Sequence, residues 1–478
     1  MRLRPIILDS ISSFFITLLV LSQFLFNNGI YLIACSVTFF ILFFLLQQRQ
    51  KPGILAFILF QHMLQVIASV WLCNYLGKDI NYRSFESSTA ILLSLTGMFF
   101  LFSPLIYFQV KLPNVTLSDL KRQAEALSTE KAMRYYFISF MIATVVGGVA
   151  FLYSGFTQIL FSLIKVKWLF FLLFGFLAIL KKEKRNMFYV AIALEFFSGF
   201  FSYFSEFKTV IYFLIVLLLT FVYSINIKQI FICIIIGTVL IFLALGWSSI
   251  KGDYRAFING GTKQQTVDVS RDEAINKLAD LSEEVSEDDL SNSTKMLLDR
   301  IQYTYHFART LERVPAQIPF QNGDNWLEDI EFATTPRYLN PDKPILDNSI
   351  KATKYTGIHY LGAASGVSFS LGYFAECYID FGMYGMMICL LMIGFVYGLT
   401  YNYLMRKSSK NIIFNYSVVG AFFMEFYGYE IDGTYLSGRF LTSLLTFILL
   451  VNFFFPVVMK NLTILKSNSD LTNTLQKN

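Results

Sequence analysis

Apolar runs, each close to the ~20 residues of helix that cross ~30 Å of hydrocarbon, recur along almost the whole chain. They lie at roughly 10–26, 30–46, 54–76, 89–109, 134–153, 168–180, 187–205, 209–223, 230–247, 384–404, 412–429 and 437–459. Hydrocarbon supplies no partner for backbone amides, so such runs must satisfy their own as helices. With 55% hydrophobic and only 15% charged residues in 478, composition excludes an ordinary soluble globule. The expected fold is therefore an all-α polytopic membrane protein with about 12 transmembrane helices. The run at 168–180 is short, and 209–223 can pair with its neighbour as a broken helix.

Arg2 and Arg4 before the first run imitate a signal peptide, but no small-residue cleavage site follows and the second run starts almost at once. Both are read as retained helices. The basic residues then set the orientation. The N-terminus and the segments 47–53, 110–134, 181–186, 224–229, 405–411 and 460–478 hold 20 Lys and Arg. The alternate short segments hold 6: Lys78, Arg83, Lys165, Lys167, Lys208 and Arg439. The positive-inside rule places both termini in the cytoplasm. The organisation expected is helices 1–9 over 1–247, with a cytoplasmic amphipathic segment at 110–133. An extracytoplasmic loop over 248–372, helices 10–12 over 373–460 and a cytoplasmic tail at 461–478 follow.

The loop carries 13 Lys and Arg against 18 Asp and Glu, a net of −5, so the other segments carry +11 and the chain nets +6. Contact of those segments with anionic lipid accounts for it, without nucleic acid. Five cysteines, mostly inside apolar runs, suggest neither disulfides nor a metal site. Residues 154–167 are too short to span and suggest a re-entrant or interfacial element. Within the loop, about 262–314 is charged with a helical pattern, and its acidic cluster is read as a solvated face. Residues 315–372, rich in Pro, Gly, Asn and Tyr, lack a clear period, and long irregular loops that stay ordered are often functional.

Walker, GxSxG and HExxH signatures are missing, and His62, His306 and His359 are too far apart in sequence to suggest zinc. No cofactor is expected. In the run Pro336-Arg337-Tyr338-Leu339-Asn340-Pro341-Asp342-Lys343-Pro344, three prolines fix φ and stiffen the backbone around two cations. An Arg fork and a Lys point charge suit diphosphate oxygens, while a loop ion pair with Asp342 or Asp347 is the plainer reading. Lys251 and Arg255 lie one helical turn apart just beyond the ninth run. His359 is the histidine nearest these cations and can serve as a base. Glu376 and Asp380, four apart, share a helix face at the outer end of the tenth run. They suit sugar hydroxyls, proton abstraction or pairing with Arg255 or Arg439. Glu195 is an intramembrane charge and a functional candidate by cost alone; Lys208, with Glu206, marks the turn after the seventh run. His62, beside Gln61 and Gln65, reads as a packing group.

These residues in this order resemble the Wzy-type O-antigen and oligosaccharide repeat-unit polymerases. The resemblance covers roughly 195–210 and 248–390. It rests on Lys251-x-x-x-Arg255, Ile318-Pro319-Phe320-x-x-Gly323, the Pro336–Pro344 run, and Gly372-x-x-x-Glu376 leading to Phe381-Gly382-x-x-Gly385. Asn340 departs from the aromatic or aliphatic residue more usual there.

What the resemblance implies is a metal-independent membrane glycosyltransferase with a GT-C-like arrangement in the bacterial inner membrane. It would move a growing glycan from a lipid diphosphate, of the undecaprenyl type, onto a sugar hydroxyl of an incoming lipid-linked repeat unit. Arg255, Arg337, Lys343 and Lys251 would hold the diphosphate, and His359 or Glu376 would act as base. Membrane lipid and a chain-length regulator protein are the implied partners. Ligases that pass glycan to a lipid anchor share the architecture and stay open. So does a flippase, which Glu195 favours but the concentration of polar residues in one outer loop disfavours.

Overall fold

The computed structural model describes residues 5–149, 157–200, 207–260, 269–283, 287–335, 340, 343, 346–362 and 368–464. Each of the twelve apolar runs contains a helix. The first four runs form α1 (Ser10–Ser22), α2 (Gly29–Leu46), α3 (Ile54–Tyr75) and α4 (Ser87–Val110). A short α5 (Leu117–Glu125) precedes α6 (Thr129–Val149), α7 (Thr157–Ile164), α8 (Val166–Lys181), α9 (Arg185–Phe200), α10 (Lys208–Phe221) and α11 (Ile227–Ile258). The polar region supplies α12 (Arg271–Glu283), α13 (Glu287–Ile301), α14 (Thr304–Arg313), α15 (Asp324–Thr334) and α16 (Asn348–Thr356). Then come α17 (Tyr373–Lys407), α18 (Ile412–Phe423), α19 (Gly433–Leu449) and α20 (Phe455–Leu462), the last two joined by a π-helical Leu450–Phe454.

Among the described residues, 7 helical stretches are long and apolar enough to cross a membrane. They are Gly29–Leu46, Ile54–Tyr75, Ser87–Val110, Leu160–Lys181, Ile227–Ile250, Tyr373–Lys407 and Gly433–Leu462. Ser10–Leu25, Lys208–Phe221 and Ile412–Phe426 are shorter apolar helices. The one small ribbon described pairs Ile7–Leu8 in parallel with Ser224–Ile225.

Several boundaries differ from expectation, each for a local reason. The helix of the ninth run continues past 247 to Ile258, because Ile250, Tyr254 and Ile258 bury themselves against Ala274 and Leu281 of α12. The tenth-run helix begins at Tyr373 rather than near 384, since its polar first turns are buried and satisfied by other elements. Gly382 (φ 65°, ψ −171°) then interrupts it, a backbone conformation that suits glycine. Residues 315–372 hold α15 and α16, too short for a period to register. Asp347 caps α16 by accepting from Ser349 N–H (3.0 Å), and Gly357 closes it at φ 71°. In the stretch read as re-entrant, Thr157–Ile164 is helical and packs on α6 and α19. The amphipathic segment at 110–133 yields α5, opened by a capping box between Thr116 and Asp119.

Parallel α4 and α17 form the most intimate pair in the bundle. Gly394 lies directly on the Leu101 carbonyl, and Gly398 on Phe108 and the Pro104 carbonyl, so any side chain at either position meets backbone or ring atoms. His62 is buried between them, 2.6 Å from the Tyr373 hydroxyl and 2.9 Å from the Ile58 carbonyl, as a packing group. Short basic segments gather at the bundle end where Ser128 bonds Leu462. There Lys51 donates to Pro113 O (2.6 Å), Lys181 to Leu127 O (3.1 Å), Lys131 to Asn461 O (2.6 Å) and Arg406 to Lys111 O (3.2 Å). Cations here offset carbonyls left over at helix ends. α14, α15 and α16 cover the other end, where α17 and α19 begin.

Candidate functional site

At the loop-covered end, one ammonium links carboxylates from two helices, in a cluster drawn from four elements. Lys351 on α16 donates to both oxygens of Asp329 on α15 (2.9 and 2.7 Å) and to Oε1 of Glu376 on α17 (3.2 Å). The other Glu376 oxygen accepts the Gly433 N–H at 2.5 Å, at the start of α19. Thr434 donates its hydroxyl to Asp329 Oδ1 (2.5 Å). Asp432 caps α19 through Tyr435 N–H (2.8 Å) and accepts the Asn348 amide (2.6 Å). Gly433 is required, since a Cβ there would press on the Asp329 and Glu376 carboxylates.

Electrostatically this is one unit. Glu376 is fully buried and Asp329, Asp432 and Asn348 nearly so. Burial alone would push the Lys351 ammonium down, but Glu376 and Asp329 prevail and hold it above its ordinary value. Burial pushes the Asp432 carboxyl up, and the charge of Asp329 adds to that; the Tyr435 N–H and Lys351 oppose it. Asp380 also stands within the field of Lys351 and accepts the Trp326 N–H (2.9 Å) at the start of α15. Glu376 and Asp380 thus share the face expected from their spacing, but both are buried anchors for the loop helices.

The other sequence candidates fall in different places. His359 follows α16, is exposed, and makes no hydrogen bond or ion pair with a described residue. Lys343 spends its ammonium on the polypeptide, donating to the carbonyls of Phe332 and of Thr335 (2.8 Å) and lying 3.9 Å from the centre of the Phe332 ring. It acts there as a C-terminal cap for α15. Lys251 and Arg255 lie one turn apart on α11, where the described structure extends to their backbone. Arg337 lies outside the described residues, as does Glu206. Lys208 opens α10. Within the bundle Glu195 is paired: Lys167 donates to one oxygen (2.8 Å) and the Tyr136 hydroxyl to the other (3.2 Å). Lys165 binds Glu425 (2.5 Å) and Ser443 (2.7 Å). Arg439 is exposed on α19, 4.9 Å from the Tyr435 ring centre.

Sequence reasoning missed Lys351, Asp329 and Thr434. The Asp432-Gly433-Thr434 helix start was the available signal, because an Asp cap before a Gly that admits a carboxylate marks a crowded helix end.

His306, on α14, was not a candidate and is structurally central. It lies among Tyr303, Tyr360 and Phe369, with Nδ1 2.6 Å from the Tyr360 hydroxyl. Burial pulls it from 6.5 down to about 3. The folded state therefore keeps it neutral while the unfolded chain binds a proton below about 6.5. Stability is full above that value and falls as pH drops from 6.5 toward 3, by up to about 1.4 kcal/mol per unit. Hydrogen exchange in α14 should accelerate over this window, and His306→Gln should flatten the dependence.

A family model described as a domain of unknown function, DUF8712, matches residues 114–467, more than half of the chain. The chain belongs to the DUF8712 family. That match takes in the loop helices, the Lys351 cluster and every sequence candidate listed above. No curated protein and no solved structure matches this DUF8712 chain.

Proposed function

We propose that this chain is a glycan polymerase. It transfers a growing oligosaccharide from a lipid diphosphate to a sugar hydroxyl of an incoming lipid-linked repeat unit. The reading takes twelve spans in a GT-C-like arrangement in the bacterial inner membrane, both termini in the cytoplasm and the Lys351 end outside. Undecaprenyl-diphosphate-linked oligosaccharides are its substrates, and a chain-length regulator is its expected partner.

The supporting observation is the Lys351 cluster, which pins two helices of the polar loop onto the first turns of α17 and α19. A loop held this firmly can carry reactive groups at fixed positions, as catalysis by positioning requires. Of the two candidate bases, Glu376 has both oxygens engaged and no exposure. His359 is open. We therefore assign His359 to the acceptor proton and Glu376 to positioning the loop. Arg337, with Arg255 and Lys251, takes the leaving diphosphate, where developing negative charge needs fixed cations. Lys343 shapes the backbone beside them.

Arg337→Ala should abolish chain extension in cells while the protein still inserts and accumulates. Glycan length on a gel checks this, and normal long polymer from that variant would remove the clamp.

A further inference from the structure

α19 presents a stripe of exposed apolar side chains, Leu441, Leu445 and Leu449, on the surface of a helix long and apolar enough to span. Arg439 is also exposed, but on a different side of the helix, about 160° around from Leu441 and one turn above buried Ser443. It makes no ion pair with a described residue, and its guanidinium lies 4.9 Å from the centre of the Tyr435 ring. A guanidinium on a helix long and apolar enough to span is costly unless an anion meets it.

The surroundings sharpen this. Beneath Arg439, close enough for mutual repulsion, lies nearly buried Lys165, which opens α8 and is bound to Glu425 and Ser443. Lys167, two residues on, is bound to Glu195. Among the described groups here, Glu425 and Glu195 are paired with Lys165 and Lys167, and Asp432, the carboxylate near Tyr435, accepts the Tyr435 N–H and the Asn348 amide. Of these three cations, Arg439 is therefore the one with no carboxylate bound to it among the described residues. Arg439 is six residues into α19, about 9 Å along its axis. Side chains on a helix lean toward its N-terminus, and its place over Tyr435 fits that direction. The fork is therefore presented at the headgroup level of the end where the loop sits.

We propose that Arg439, backed by Lys165, seats a phosphate carried by a lipid at the α7–α19 face. A planar fork matches two phosphate oxygens, and basic pockets between membrane helices recognise lipid headgroups in this way. The seat rests on charge and exposure. That its lipid is the diphosphate substrate rests on the polymerase reading.

The test uses the full chain in detergent, with farnesyl diphosphate as probe. Wild type should bind it, Arg439→Gln should weaken it by about tenfold, and Arg439→Lys should fall between them. An unchanged melting temperature shows that Arg439→Gln is folded. Competition by inorganic pyrophosphate would name a free-phosphate site, and competition by phosphatidylglycerol a general anionic-lipid seat. Resistance to both would mark the isoprenoid lipid as the source. Equal binding by Arg439→Gln overturns the proposal, as does equal Arg439-dependent binding of phosphatidylcholine, the signature of simple snorkelling. Binding is read without glycan synthesis, so failure of the seat leaves the polymerase reading standing.

Discussion

Lys351→Met should cost about 3–5 kcal/mol of stability, because it removes the one cation from a buried group of carboxylates. Asp329 and Glu376 would each lose a charge-assisted partner now at 2.7 and 3.2 Å. Both are nearly or wholly buried, so water does not replace what is lost. The damage should be local, freeing α15 and α16 from α17 and α19, and chain extension should fall with it. Thermal unfolding in detergent gives the size, and proteolysis of the loop gives the place. Adding Asp329→Asn and Glu376→Gln should recover part of the loss, since neutral amides need no cation. A Lys351→Met protein that melts like wild type would show that the cluster does not hold the loop.

His359→Gln should lower the turnover of glycan extension by about 10²–10⁴-fold, the contribution of a positioned general base. It should leave the melting temperature unchanged, because the imidazole is exposed and makes no hydrogen bond or ion pair with a described residue. Glu376→Gln should behave differently. It weakens a buried link to Lys351 and the Gly433 N–H, so melting temperature and activity should drop together. Single-turnover rates beside melting curves separate the two. Full activity in His359→Gln, with a catalytic loss and no melting shift in Glu376→Gln, would reverse the assignments.

The helices were legible because hydrocarbon admits few alternatives: a run such as 89–109 can only be α4. The spacing of Glu376 and Asp380 correctly put both on one face. Their purpose was hidden, because the partners come from far along the chain. Asp329 meets Thr434 across 105 residues and Asn348 meets Asp432 across 84. No local period encodes such pairs. Lys351 sits in a nine-residue helix among ordinary polar residues, and nothing nearby marks it as the hub. Lys343 shows the converse. Its proline-rich setting suggested a ligand cation, yet a lysine beside a helix C-terminus finds carbonyls first.

Elongation by the purified chain tests the central claim most directly. Lipid-diphosphate-linked repeat units are supplied already dispersed in detergent, where no flipping is needed, and the products are resolved by length. A ladder of products, each longer by one repeat unit and still lipid-linked, is predicted for wild type. Arg337→Ala should give none. Repeat units returned unextended by a folded wild-type protein would contradict the account, and transfer only to a different lipid anchor would make the chain a ligase.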